Sequence, residues 1–340
     1  MLFKGAGKSK GFERRLPCIR RNSILFGSAW NKLLWQKRIG IEELTFSRNL
    51  ISQVREGFDI VQVGQFSLGR RLSLEARRNK IASRVIFSCQ AVGLPSLEDY
   101  RKIDYVQVLA PYYELLAQSK EYDTSNLFYV PNFVDCQRYT PISNTSVRAK
   151  LEVPEDAFVV LSSGAITSKY KHMDRVIEEV AFLGKMTDQK VYLLIAGQLE
   201  PESPSVISYG KRLLGDRVIF LPNVAHEFMP LIYPSADVFV LGSFREVFGI
   251  AFLEAMASGV PAFGDDYEVT RWIIGGGGET TDMQKKGALA KILQKYTDRD
   301  ICRKVGGQAR ERALTHFSKE KVVRSMMEVY RTILEEKQTR

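Results

Sequence analysis

The sequence predicts an α/β protein of two domains built on doubly wound parallel sheets. Three observations lead there. In the C-terminal half, short runs of β-branched and aromatic residues alternate with segments of helical period. The length, 340 residues, exceeds what one hydrophobic core usually organises. Between a strand-like run at 237–241 and a short apolar helix at 250–258 lies Gly249, which permits the tight turn such a unit needs.

Taken in chain order, the first half reads as strands at 59–63, 84–88 and 105–109, with helices at 68–78 and 111–119. The second half reads as strand 158–161, helix 173–183, strand 191–196 and a helix within 205–214. Strand 217–221, a helix around 227–233 and strand 238–241 follow, leading into helix 250–258, which Gly259 and Pro261 stop. The run Gly275–Gly278 lacks the lysine–hydroxyl pair of a phosphate loop and reads as a flexible surface turn.

Composition narrows the function classes. Hydrophobic residues at 45% and charged residues at 26% are ordinary for a globular protein, and no apolar run is long enough to span a bilayer. The first ten residues carry charge but no apolar stretch of the kind a signal sequence needs. Cys18, Cys89, Cys136 and Cys302 lack metal-site spacing and read as reduced thiols of a cytoplasmic protein. Asp265–Asp266 is one carboxylate pair, short of a coordination set, so no metal is expected. His226 and His316 are isolated in the sequence and read as structural or solvated.

The net charge of +10 is concentrated at the start of the chain. There Lys4, Lys8, Lys10, Arg14, Arg15, Arg20 and Arg21 face only Glu13. Such a patch suits anionic lipid head groups, at about 1 kcal/mol per favourable cation. A cytoplasmic protein held peripherally at the inner membrane face is one expectation; a solvated arm is the other. No recognition helix or aromatic platform accompanies the charge, so specific nucleic-acid binding is not expected.

The densest chemistry lies in Ser243-Phe244-Arg245-Glu246-Val247-Phe248-Gly249 and the helix after it. A helix N-terminus at the carboxyl end of a strand presents free N–H groups, which makes the amides of Phe248, Gly249 and Ile250 candidates for holding a phosphate. Glu246, on the loop before the helix, is placed to accept hydroxyls of a group attached beyond that phosphate. Glu254, inside the helix, offers two oxygens to the hydroxyls of a ribose. Singly, each glutamate also fits a helix cap or a solvated helix position. Together they point to a phosphate-linked ligand.

Glu246 and Glu254, with Phe248-Gly249 and Glu254-Ala255-Met256-Ala257-Ser258-Gly259-Val260-Pro261 around them, resemble the signature of family 4 glycosyltransferases. The resemblance continues in order. Val130-Pro131-Asn132-Phe133-Val134-Asp135 resembles the segment joining that family's two domains. Lys171 with the helix from Asp174 resembles its lysine near the donor phosphates, Tyr233-Pro234-Ser235-Ala236-Asp237 its helix end before the glutamate motif, and Phe317-Ser318 the start of its closing helix.

This resemblance implies a GT-B fold, two Rossmann-like domains facing a cleft, and retaining transfer of a sugar from a UDP- or GDP-linked donor without a cofactor. It places the acceptor-side domain at 1–141, the donor domain at 142–317, and a closing helix at 318–340 that packs back on the first domain. Glu254 would hold the ribose, Lys171 and the Phe248, Gly249 and Ile250 amides the phosphates, and Glu246 the sugar. The acceptor would be a carbohydrate, a lipid-linked sugar or a small molecule, as in polysaccharide or glycolipid synthesis.

Departures from the pattern matter as well. The family's arginine after the glycine matched by Gly164 is Ala165 here, which makes Lys169 a substitute candidate. Its first-domain histidine is replaced by Ser88-Cys89-Gln90-Ala91, leaving Gln90 as the candidate on the acceptor side. The family's first βα unit, with its glycine-rich loop and long helix, has no counterpart, and Leu2–Gly5 resembles the end of a second strand. A start codon assigned too late is the favoured explanation, ahead of a partner that fills the gap or a decayed enzyme. A nonenzymatic nucleotide-sugar binder and an epimerase or phosphorylase of the same fold remain the rival readings.

Overall fold

The computed structural model describes residues 2–4, 13–16, 35–55, 57–78, 81, 83–90, 93–142 and 145–336. Lys8, Lys10, Arg20, Arg21 and Cys18, and with them most of the basic arm, lie outside the described residues. The chain divides into two compact units, one of Met1–Val130 with Met327–Arg340 and the other of Pro131–Met326.

In the first unit, β1 (Leu2–Lys4) and β2 (Glu13–Arg15) form a parallel pair of their own. Helix α1 (Trp35–Val54) follows, then β3 (Ile60–Val63), α2 (Phe66–Arg77), β4 (Arg84–Ser88), α3 (Leu97–Tyr100), β5 (Tyr105–Val108), α4 (Pro111–Ser119) and β6 (Leu127–Tyr129). Strands β3 to β6 make a parallel sheet in sequence order. Leu50 and Val54 of α1 and Leu68 and Leu72 of α2 pack with Val61, Val63 and Val85 of the sheet. A polar row crosses three strands, with the Gln62 amide donating to Ser88 Oγ and Gln107 Oε1, each at 2.7 Å. Tyr330 donates to the Gln62 carbonyl oxygen, so every polar atom of that side chain is used.

The second unit contains α5 (Thr145–Lys150), β7 (Phe158–Ser163), α6 (Met173–Leu183), β8 (Val191–Gly197), α7 (Ser203–Leu214) and β9 (Val218–Pro222). It continues through α8 (Met229–Ile232), β10 (Val238–Val240), α9 (Ile250–Ala257), β11 (Ala262–Asp265), α10 (Glu268–Ile274) and β12 (Gly278–Thr281). Helices α11 (Ala288–Leu293), α12 (Arg299–Phe317) and α13 (Lys319–Glu335) end the described chain. The sheet is parallel throughout, in the order β12-β11-β10-β7-β8-β9. Strand order therefore reverses between β7 and β10, the place where doubly wound sheets open a crevice at their carboxyl ends.

Local chemistry explains these elements. Every residue of β7 is buried, as a central parallel strand requires. Met173, Val176, Ile177, Val180 and Leu183 form one buried stripe on α6 at helical spacing. On the same helix Glu179 is buried because it caps α11, its two oxygens accepting from the Gly287 and Ala290 amides at 2.5 and 2.9 Å. A carboxylate at a helix N-terminus answers both the free N–H groups and the dipole. No described helix is long and apolar enough to cross a membrane.

Several sequence expectations change. Residues 131–141 count with the second unit, so the division falls before the expected 141. The reason is a set of hydrogen bonds to the backbone of this segment. Val134 N donates to Phe317 O at 2.9 Å, Lys319 N donates to Val134 O at 3.1 Å, and Arg310 donates to the Cys136 and Tyr139 carbonyls. Helix α13 begins at Lys319, close to the expected closing helix, but residues through Met326 count with the second unit and only those from Met327 with the first. The glycine run is not simply a surface turn, since Gly277 packs on Ala309 and Gly278 opens β12. The sequence reading assigns nothing to α1, where the structure has a helix of 20 residues.

Because Glu179 joins α6 to α11, Glu179→Ala leaves two helix-terminal amides without their buried acceptor. Its urea-unfolding free energy should fall by about 1–3 kcal/mol relative to the parent chain.

Candidate functional site

The seam between β7 and β10 sends out two loops, one from 164 to 172 and one from 241 to 249. Gly242 lets them meet, because a Cβ there would lie 2.7 Å from the Lys171 carbonyl oxygen. The His172 ring stacks on Phe244, with centroids 4.0 Å apart and 21° between planes. Burial, the largest influence on it, holds the His172 imidazole below its ordinary range. Its φ of 47° and the φ of 49° at Arg245 are left-handed, uncommon for residues with a side chain. Each flanks a member of the ion pair that joins the loops.

That pair is Lys171 Nζ with Glu246 Oε1, at 2.5 Å. Their side chains are 23% and 18% exposed, open enough to exchange partners with a ligand. Three residues beyond Glu246, Gly249 takes φ 71°, ψ 66° and starts α9. A side chain at that dihedral would be strained. The Phe248 ring is buried against Trp272 and Phe317, so only its backbone is available for binding. Ile250, on the first turn, is half exposed.

Glu254 is buried at 8% exposure and is surrounded by donors. Tyr139 OH and His226 Nε2 each lie 2.8 Å from its Oε1, and Tyr233 OH donates to Oε2 at 2.7 Å. Tyr233 OH also lies 3.1 Å from Ser163 Oγ at the end of β7. Burial first, and then the charge of Glu254, push the Tyr139 phenol well above the ordinary tyrosine range, and Tyr233 responds in the same direction. Both remain protonated donors. Tyr139 itself is placed by Arg310, which donates to its carbonyl at 2.6 Å and to the Ala257 carbonyl of α9 at 2.5 Å.

The structure thus brings together Lys171, Glu246, Gly249, Ile250 and Glu254 on adjoining elements of one seam. Lys169 turns elsewhere: it is exposed and pairs with Glu202 at 3.3 Å. Gln90 is exposed on the loop after β4, in the first unit. Asp266 is committed to Arg271 at 2.6 Å and to Thr280, and Asp265 accepts the Met283 amide. Among the described residues no three His, Cys, Asp or Glu side chains gather as a metal site. A cavity of about 710 Å³ in the first unit, lined in part by Leu44, Arg71 and Leu74, holds none of these residues.

Sequence reasoning misses the partners of Glu254. His226 reads there as isolated, and its partners arrive from 28 and 87 residues away along the chain. One signal was available, since a carboxylate on an otherwise apolar helix must find donors if it is buried.

Residues 143–312 match the family model described as Glycosyl transferases group 1, half of the chain. The chain belongs to that family. This group 1 member is 29% identical over 237 residues to the N-acetyl-alpha-D-glucosaminyl L-malate synthase of Bacillus anthracis, covering 65% of this chain and 56% of that protein. It spans about half the length of the relatives it matches.

Among solved structures it resembles sucrose-phosphate synthase from Thermosynechococcus elongatus, with TM-score 0.74 and 21% identity over 88% of this chain and 80% of that one. It also resembles Anabaena HepE in complex with UDP-glucose, with TM-score 0.70 and 17% identity over 89% and 84%. These likenesses establish the GT-B fold.

The two buried phenols carry a pH consequence. Folding raises them above the free value of 10.0, so their contribution to stability is complete below that pH and is lost as pH rises beyond it. Unfolding free energy measured in urea should fall above about pH 10, and the doubly substituted Tyr139→Phe, Tyr233→Phe chain should show a shallower fall.

Proposed function

We propose that this group 1 chain is a retaining glycosyltransferase that moves a sugar from a UDP- or GDP-linked donor to an acceptor hydroxyl. The observation that carries the reading is the Lys171–Glu246 pair at the strand-order reversal, directly ahead of helix α9. A diphosphate would draw Lys171 away from Glu246, because two phosphates outweigh one partly solvated carboxylate. Glu246, so released, would accept hydroxyls of the sugar. Glu254 would accept hydroxyls of the ribose.

In the reaction the bond from the anomeric carbon to the phosphate oxygen breaks as the acceptor oxygen attacks from the same face. The acceptor proton passes to the departing phosphate. Charge building on that phosphate is met by Lys171 and by the free amides of α9, with no cofactor required. A uridine nucleotide is supported by the likeness to HepE, whose structure contains UDP-glucose. The acceptor is read only as a hydroxyl-bearing carbohydrate, lipid-linked sugar or small molecule.

Calorimetric titration tests the donor half of this reading. UDP or GDP should bind the parent chain, and Glu254→Ala should weaken that binding about ten- to a hundredfold, the usual worth of hydrogen bonds to a charged group. A folded parent chain that binds neither nucleotide would overturn the assignment.

A further inference from the structure

We infer that His226 is a displaceable stand-in for a ligand hydroxyl on Glu254, so that the nucleotide must evict it to bind; the inference rests on Glu254 as the ribose-binding carboxylate. A carboxylate has about four lone-pair positions. The described side chains fill three of them, with Tyr139 and His226 on Oε1 and Tyr233 on Oε2. A ribose diol brings two more donors, one beyond what the carboxylate has left. One of the three must yield.

Burial decides which. Tyr139 and Tyr233 are 3% and 1% exposed, and either phenol pulled from the carboxylate would give up its charged acceptor inside the protein for a longer contact, Tyr233 to Ser163 Oγ and Tyr139 to the His226 ring, each at 3.1 Å. The His226 side chain is 67% exposed, so its Nε2–H can turn to water at little cost. It sits on the short turn His226–Phe228, whose first carbonyl is held by Arg138 at 3.1 Å, so the ring can swing without the backbone. Donation to Oε1 assigns the proton to Nε2. Once His226 leaves, one position on Oε1 and one on Oε2 are open to a diol across the two oxygens.

The consequence has an unusual sign: removing a residue of the site should improve binding. UDP, 2′-deoxy-UDP and 3′-deoxy-UDP would be titrated calorimetrically into the parent chain, His226→Ala, His226→Gln and Glu254→Ala. His226→Ala should bind UDP about three- to tenfold more tightly, the usual net worth of one hydrogen bond, and His226→Gln, which keeps a donor, should stay near the parent. The gain should disappear for the deoxynucleotide that lacks the evicting hydroxyl and persist for the other.

Unchanged or weaker UDP binding by His226→Ala, while Glu254→Ala still weakens it, would overturn the inference and leave the donor site standing. An equal gain for all three nucleotides would overturn the assigned exchange. Unimpaired binding by Glu254→Ala would remove the ribose reading and the inference with it.

Discussion

The reversal of strand order between β7 and β10 is the constraint on which the rest of the second unit depends. In a sheet wound one way only, the loop after each strand crosses over its neighbour and covers it. At the reversal the crossovers depart in opposite directions, and the loops after β7 and β10 are left side by side. Everything chemical follows from that adjacency. Gly242 allows backbone contact, His172 and Phe244 stack, and Lys171 meets Glu246 across the seam.

The two carboxylates at the seam are held by opposite strategies. Among the described residues Glu246 pairs with Lys171, and both are partly solvated, so that water and salt weaken the pair. Glu254 is withdrawn from water, and two of its donors are buried phenols that burial and its own charge keep protonated. The first pair is open to water, whereas two of the second carboxylate's three described partners are locked in the interior. The left-handed residues beside the first pair, His172 and Arg245, are local backbone strain of the kind that collects at binding loops.

Much of this was legible in the sequence, and the part that was not has physical causes. Strands and helices from β7 to α9 could be read because each is a short, strongly patterned run between clear breakers. Helix α1 could not, because its apolar residues follow no clean stripe and no acidic residue marks its first turn. Strand β11 (Ala262–Asp265) is interrupted by Gly264, and β12 begins inside a glycine run, so neither carries an unbroken apolar pattern. In the site, Glu246, Gly249 and Glu254 lie within one strand–turn–helix unit, so local spacing reveals them. Tyr139 stands 115 residues from Glu254 in the chain, and no local pattern links the two. Lys169 shows the converse: it shares a loop with Lys171, yet its exposed side chain pairs with Glu202 and not with Glu246.

The segment from Pro131 to Tyr139 connects one unit to the next, yet it is also structural material of the second. Arg310 clamps its carbonyls, Val134 pairs with the end of α12, and Tyr139 supplies a phenol to Glu254. The second unit is therefore not portable from the point where its own sheet begins. A fragment or chimera cut at residue 142 would carry the whole parallel sheet and still leave Glu254 short of a donor and Arg310 short of two acceptors. Recombination that preserves this half has to cross over before Pro131, which makes the joining segment inherited property of the half that follows it.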